Sequence, residues 1–248
     1  MRWRLIDYSE NDAFMNMAID EAVSESVAGG SSLPTIRFYG WNPAAVSIGY
    51  FQGIAREIDL ERCVGLGVDA VRRRTGGGAV FHDPDGEITY SIIASERLFP
   101  KDIIASYKEI CGRIVDALGL LGIQAEFKPI NDIVVNGKKI SGNAQTRRSG
   151  VLLQHGTVLY SVDVEKMFSI LRVPDEKIKD KMIADARERV TSIRQQRNVS
   201  WEETYEALVE SFTKGREIGI SGLTESERAR AEELASSRYR KKEWNWMR

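Results

Sequence analysis

A chain of 248 residues with 42% apolar and 29% charged side chains has the bulk for one large domain with a real core. Its formal net charge of −1 excludes a protein built to coat nucleic acid or an anionic membrane, so any anion has to be held by a local cluster. No apolar run approaches the ~20 residues that span a bilayer, and the N-terminus "MRWRLIDYSEND" carries no secretory signature. The two cysteines, Cys63 and Cys111, are far apart and build neither a disulfide framework nor a metal site. The expectation is a cytoplasmic protein with no nucleic-acid or membrane partner.

In chain order, "NDAFMNMAIDEAVSESV" predicts a helix capped by Asn11 or Asp12, with Phe14, Met17, Ala18 and Ala22 at near-helical spacing. "TIRFYGW" and "AVSIGYF" predict strands around the turn "NPA". "DLERCVGLG" reads as a short helix with a glycine stop. "VDAVRRR" and "EITYSIIAS" are further strands. "GLGVDA" matches a loose dinucleotide fingerprint, but it follows a helix and precedes a strand, the reverse of the required order. "DIIASYKEICGRIVDALGLLG" is the cleanest helix; Cys111 sits on its apolar stripe and reads as a buried small hydrophobe rather than a nucleophile. "NDIVVNGKKISGNA" predicts a hairpin with a type I′ turn at Asn136-Gly137. "GVLLQHGTVLYSV" follows as a strand pair or one long, bulged strand. Capping-box patterns run from Ser200 to Glu203 and from Thr224 to Glu227. From about residue 163 the pattern is helical and charged. Together these give an α+β fold, an antiparallel-rich sheet flanked by helices, in a single domain over 1–248 with no separate accessory domain. The aromatics Trp244 and Trp246 in the basic tail read as packing on the core, with partner docking as the other option.

"RRRTGGGAVFHD", residues 72–83, sets three arginines against three glycines. Glycines let backbone amides approach a ligand, and consecutive amides make an anion-binding concavity; arginine adds a planar fork of donors suited to phosphate. An extended backbone over 70–74 points Arg73 away from Arg72 and Arg74, so only part of the triplet serves one pocket and the others are expected to cover a solvent face. A flexible turn is the plain alternative. His82 is open between a base, a stacking group and a structural donor.

The hairpin permits a sharper inference. A two-residue turn pairs Val134 with Lys139, Ile133 with Ile140 and Asp132 with Ser141. Lys139 then shares a face with Asp132 and Ser141, with the Cβ atoms of Asp132 and Lys139 roughly 7–8 Å apart. A surface ion pair worth at most ~1 kcal/mol is the plain account. In the functional account Asp132 holds Mg²⁺ and Lys139 neutralises a phosphate and a polarised acyl oxygen.

"RRRTGGGAVFHD", "NDIVVNGKKISGNAQ" and "QHGTVL", in this order and with "NMAIDEAV" near the start, resemble the lipoate-protein ligase A family of the biotin/lipoyl ligase superfamily. The resemblance implies a class II synthetase-like, biotin-ligase-like catalytic domain. It also implies a two-step reaction in which ATP activates lipoate or octanoate as acyl-AMP and a lysine of a lipoyl-acceptor domain then takes the acyl group. Acceptors of that family are of the 2-oxoacid dehydrogenase E2 or glycine-cleavage H-protein type. The matching positions place Lys139 at the acyl carbonyl and the adenylate phosphate, and Arg73 near the phosphates. Thr75, Gly76, Gly77, Gly78, Ala79, Val80, Phe81 and His82 fall along the nucleotide site. Asn131 and Asp132 match a pair associated with Mg²⁺. His155 and Met17, with Gly78, belong to the lipoyl pocket.

Two departures shape the expectation. Single-chain ligases of the family carry an additional small C-terminal domain for which this chain leaves no room, so the reading is the catalytic subunit of a two-chain ligase with a separate accessory protein. Related octanoyl- or lipoyl-transferases, which act without ATP, share much of the signature. The resemblance implies a cysteine thiolate as their acyl carrier, placed in one group shortly before the hairpin, where this sequence reads "EFKPIND". The absence of a cysteine there favours the ATP-dependent ligase, with the transferase as the alternative. A non-catalytic protein binding lipoate or a nucleotide is a third reading, which the presence of both Lys139 and Asp132 ranks below the enzymes.

Overall fold

The computed structural model describes the backbone of residues 1–171 and 176–248, and the side chains of the same residues except 176–180. The chain opens with β1 (Arg2–Asn11), α1 (Ala13–Ala28), β2 (Thr35–Trp41) and β3 (Ala45–Ile48), followed by the short helices α2 (Ile54–Glu57) and α3 (Leu60–Gly65). Next come β4 (Asp69–Arg72), β5 (Val80–His82), β6 (Glu87–Ser95), α4 (Ile103–Leu120), β7 (Glu126–Lys128), β8 (Asp132–Val135), β9 (Lys138–Arg148) and β10 (Val151–Leu159). The remainder holds α5 (Val164–Ile170), α6 (Glu176–Arg189), α7 (Ile193–Gln196), α8 (Trp201–Thr213), β11 (Glu217–Ile220), α9 (Glu225–Leu234), a π-helical turn at Ala235–Tyr239 and α10 (Lys242–Asn245).

Eight strands form one sheet in the order β11-β1-β2-β6-β10-β9-β8-β7, and three form a second in the order β4-β3-β5. Pairing in the large sheet is parallel at β11–β1–β2 and antiparallel from β2 onward. The strands alternate, so each face has its own core. Phe38, Tyr90 and Leu152 face α4 and α8, meeting Cys111, Ile114 and Phe212. Tyr39, Ile93 and Leu153 face α1 and α9, meeting Met17, Val23 and Leu234. The small sheet closes a third cluster, Val46 and Ile48 against Cys63 and Ile170.

Asp12 caps α1 by accepting from the Met15 amide, and Asp102 caps α4 through Ala105. Such a cap is worth about 1 kcal/mol, whereas each buried Ile or Leu contributes roughly 1.5–3 kcal/mol. The stripe of α4, with Ile110, Cys111, Ile114 and Leu118 buried, therefore holds that helix to the sheet. Both capping boxes form, at Ser200 with Glu203 and at Thr224 with Glu227.

Four features depart from the sequence reading. The "NPA" turn does not close a hairpin: β2 enters the large sheet and β3 the small one, which opens a space between the two sheets. The Asn136-Gly137 turn has φ of 51° and 77°, as a type I′ turn requires, but a bulge follows it. Val134 pairs with Lys139, then Ile133 pairs with Ser141 and Asp132 with Gly142. One extra residue on β9 turns Ser141 inward and puts Gly142 on the face of Lys139 and Asp132. The stretch after the hairpin is one strand, β10, in regular register with both β6 and β9; a second tight turn at Ser149-Gly150, φ 51° and 75°, reverses the chain into it. Finally, the segment beyond residue 163 is not wholly helical, because β11 returns to pair with β1. Burial of alternate residues in a strand this short is too brief a signal to read.

Candidate functional site

A cavity of about 290 Å³ lies between the large sheet and the small one. One wall is the inner face of α1 and β2, with Met17, Tyr39 and Trp41. The opposite wall is the glycine loop and β5, with Gly77, Gly78, Ala79, Val80 and Phe81. Lys139, Asn131 and Asn143 come from the β8–β9 hairpin, and His155 from β10. The sequence signals therefore converge on one place. Arg73 and Lys139, distant in sequence, both line it.

The triplet divides as the alternation of side chains predicts, but the two arginines set apart from Arg73 do not cover a solvent face as expected. Arg72 is buried and donates to the carbonyls of Gly49, Tyr50, Gln52, Trp244 and Asn245. Arg74 pairs with Glu21 of α1 at 2.9 Å. Arg73 alone of the three lines the cavity, and its Nη donors are already used: Nη1 donates to Ser47 O at 3.0 Å and to Ser47 Oγ at 3.2 Å, while Nη2 donates to Gly76 O at 2.7 Å and Gly78 O at 2.8 Å. Burial pushes its pKa down to about 10, which leaves it cationic at neutral pH. Arg73 is thus the strut of the glycine loop; a phosphate reaching its Nη atoms would have to displace loop carbonyls. Gly77 has φ 95°, and a Cβ there would meet Arg73 Nη2 at 2.9 Å, so the strut and the glycine require one another.

Two histidines tie this loop to the sheets. His82 Nδ1 lies 2.7 Å from Glu87 Oε1 and its Nε2 2.8 Å from Ser47 Oγ, while the ring stacks on Trp41 at 3.8 Å. The Glu87 carboxylate can only accept, so Nδ1–H donates to it, while Ser47 Oγ accepts from Arg73 and lies within hydrogen-bond reach of Nε2. His82 is therefore a stacking group and a structural link at once. His155 Nδ1 lies 3.3 Å from Asp20 Oδ2 and its Nε2 2.7 Å from Thr75 Oγ1. Burial outweighs the pull of Asp20 and lowers the His155 pKa, so the ring is neutral: Nδ1–H donates to the carboxylate and Thr75 donates to Nε2. Burial alone would raise the Asp20 carboxyl. The hydrogen bond from His155, the Arg37 guanidinium at 2.9 Å and the Ser91 hydroxyl at 2.8 Å outweigh it and hold the carboxyl below its ordinary range.

Lys139 differs from all of these. Its Nζ pairs with Asp132 Oδ1 at 2.7 Å, with side chains 42% and 35% exposed, and the pair lies at the edge of the cavity. The bulge is what permits it: a Cβ on residue 142 would sit 2.8 Å from Nζ, so only glycine leaves the lysine room to cross to Asp132. Thr75, Gly76 and Asp132 do not line the cavity themselves; they support residues that do. Asn131 donates its side-chain amide to the Asn143 carbonyl. Asp132 Oδ1 is engaged by Lys139 and the Asn131 side-chain amide by the backbone, and no cluster of three His, Cys, Asp or Glu ligands occurs among the described residues. Nothing in this arrangement supports the expectation of Mg²⁺ at Asp132 and Asn131.

Cys63 and Cys111 are both buried outside the cavity, and burial pushes their thiols up to about 11 and about 12. Sequence reasoning passed over Asp20, Ser47 and Glu87. Asp20 was within reach of it: an acid three residues after Met17 falls on the same buried helix face.

The model of the lipoyl protein ligase A/B catalytic domain family matches residues 12–213. The chain belongs to that family. Curated relatives of this lipoyl protein ligase A/B domain include octanoyltransferase LipM of Geobacillus kaustophilus, 39% identical with 99% of this chain and 98% of that protein covered, and octanoyltransferase LipM of Bacillus subtilis, 34% identical with 99% and 98% covered. Among solved structures, a chain of the bi-partite lipoate protein ligase and E2 lipoyl domain system of Thermoplasma acidophilum superposes with TM-score 0.89 at 34% identity, covering 99% of this chain and 96% of that one. A lipoate-protein ligase A bound with ATP gives 0.84 at 31%, covering 99% of each. The fold expectation and the family resemblance hold. The expectation of an ATP-dependent ligase does not: the curated relatives, matched nearly end to end, are octanoyltransferases. The missing cysteine before the hairpin pointed the other way, and a single absent residue type weighed too much against the "GNAQTRRSGVLLQHG" phrase that resembles the transferases. The family attaches lipoate or octanoate, and no helix among the described residues is long and apolar enough to cross a membrane.

Proposed function

We propose that this protein is an acyltransferase that moves an octanoyl or lipoyl group from an already activated donor, of the thioester class, to a lysine of a lipoyl-acceptor domain without ATP. The observation that carries the reading is an accessible ammonium, that of Lys139, held by Asp132 at the edge of a cavity walled by Met17, Tyr39 and Trp41. The acyl chain enters the apolar slot, where a few polar groups suffice to orient it. Lys139 donates to the acyl carbonyl oxygen and stabilises the negative charge that develops there during attack. Asp132 keeps the ammonium in place. Gly77 and Gly78 border the same space, on a loop that Arg73 ties together through the Gly76 and Gly78 carbonyls.

The acceptor lysine, as free amine, attacks the carbonyl carbon. The C–N bond forms, the acyl carbon–sulfur bond breaks, and the amine proton leaves with the thiol. Neither thiol of this chain reaches the cavity, so the transfer is direct and passes through no acyl-cysteine. The acceptor is a domain of the kind that accompanies the T. acidophilum ligase, an E2 lipoyl domain, or the equivalent H-protein type. ATP and the accessory subunit belonged to the ligase reading and have no part in this one.

The test is to incubate the protein with an octanoyl thioester and an unmodified lipoyl domain, without ATP, and weigh the acceptor. One added octanoyl group per domain is expected. Modification only with free octanoate plus ATP, and none from the thioester, overturns the proposal.

A further inference from the structure

The glycine loop walls the cavity through Gly77 and Gly78. Its anchor lies outside, in the last residues of the chain. Arg72 opens the loop and is clasped from both backbone and side chain. Its amide donates to Asn245 Oδ1 at 2.7 Å, and its carbonyl accepts from Trp244 Nε1 at 2.9 Å. Its guanidinium donates to Trp244 O at 3.1 Å and Asn245 O at 2.8 Å. The same guanidinium gathers the carbonyls of Gly49, Tyr50 and Gln52, the turn that abuts Gly77.

Asn245 is oriented in turn by its Nδ2, which donates to Tyr239 O at 2.7 Å and Lys241 O at 3.1 Å. The π-helical turn Ala235–Tyr239 adds a second strap. Arg238 and the Tyr239 hydroxyl both donate to Glu21, the carboxylate that also holds Arg74. The C-terminal segment therefore holds Arg72 directly, and it holds the Glu21 carboxylate that pairs with Arg74.

Among the described residues the β4 edge that carries the loop has no other continuous partner on that side, since β4 pairs there only with β3. Donors and acceptors from Trp244 and Asn245 take the place of a neighbouring strand at Arg72. We infer that Trp244 and Asn245 are positioning residues of the acyl-transfer site: they act through Arg72 to set the direction in which Arg73 and the glycine loop leave β4. Packing of the tail aromatics on the core was expected; control of the site by that packing goes further. The kinetic part of this inference rests on the transfer activity proposed above.

Two variants and a control test it. Trp244→Phe keeps the ring and removes one donor. Asn245→Ala removes the acceptor for the Arg72 amide. Trp246→Ala changes a 43%-exposed ring of the same tail that makes none of these bonds. Transfer kinetics are read beside hydrogen exchange of the amides of residues 73–80. A misplacement of about an ångström in a site can cost up to ~10²-fold. We expect kcat to fall about 10-fold in Asn245→Ala and about 3-fold in Trp244→Phe, on that scale. Exchange should rise at 73–80 and stay unchanged in α4, and Trp246→Ala should match the parent. If the parent transfers nothing from the thioester, the function proposal fails while the exchange pattern still decides the clasp. Unchanged exchange and kinetics in both variants, or exchange raised equally throughout the molecule, overturns the inference.

Discussion

The glycine loop and the lysine hairpin border one cavity, yet they are built on opposite plans. In the loop every arginine is consumed by the protein: Arg72 by main-chain carbonyls, Arg74 by Glu21, and Arg73 by Ser47 and the loop itself. In the hairpin the one cation near the cavity is half-exposed and has a single carboxylate partner. Charge density in a sequence is thus a poor guide to where charge is on offer. A buried guanidinium with its Nη donors filled is a scaffold, and an accessible ammonium with one surface partner keeps further donors for a substrate oxygen.

The contrast can be broken by substitution. Lys139→Ala removes the only donor assigned to the developing oxyanion, and loss of such a donor typically costs about 10²–10³ in kcat. Thermal stability should barely change, since an exposed pair is worth at most ~1 kcal/mol. A transfer assay and a melting curve on the same sample check both halves. Arg73→Lys should behave in the opposite sense. One ammonium cannot span Ser47 O, Gly76 O and Gly78 O as the planar fork does, so buried carbonyls lose partners. Each such loss costs about 1–3 kcal/mol, and the midpoint of denaturant unfolding should drop along with activity.

The histidine link predicts a pH dependence. The folded protein holds His155 neutral with its pKa below the ordinary value of about 6.5. The unfolded chain therefore binds a proton that the folded one refuses. Stability is complete above pH ~6.5 and declines as the pH falls below it. His155→Gln, which keeps a donor and an acceptor, should flatten that decline, as read by urea unfolding between about pH 7 and pH 5. The smallest effect is expected at the thiols. Cys63→Ala with Cys111→Ala should keep transfer within about 2-fold, because neither sulfur touches the cavity; this follows the rule that large catalytic losses need a group in the reacting site. A loss of several orders of magnitude would restore a thiol carrier.

Much of this was legible in the residues. The Asn136-Gly137 turn placed Lys139 and Asp132 on one face because a type I′ turn admits few registers, and the alternation over residues 70–74 separated Arg73 from its two neighbours. The bulge that swaps Ser141 for Gly142 was not legible, since it is a tertiary adjustment with no local turn signal. Nor was the fate of Arg73's donors, because the carbonyls that fill them come from the far side of the loop and from β3. Thr75 and Gly76 were assigned to the nucleotide wall by resemblance and stand behind it. The tail residues that hold Arg72 lie more than 170 positions away, beyond any periodicity argument.

The central claim is that the Lys139 ammonium meets the acyl carbonyl inside this cavity. Isotope-edited infrared spectroscopy of a bound octanoyl thioester labelled with ¹³C at the carbonyl tests it directly. The account predicts a carbonyl stretch moved to lower frequency on binding the parent protein and returned toward its solution value in Lys139→Ala. An identical stretch in the two proteins, with the thioester bound to both, would contradict it.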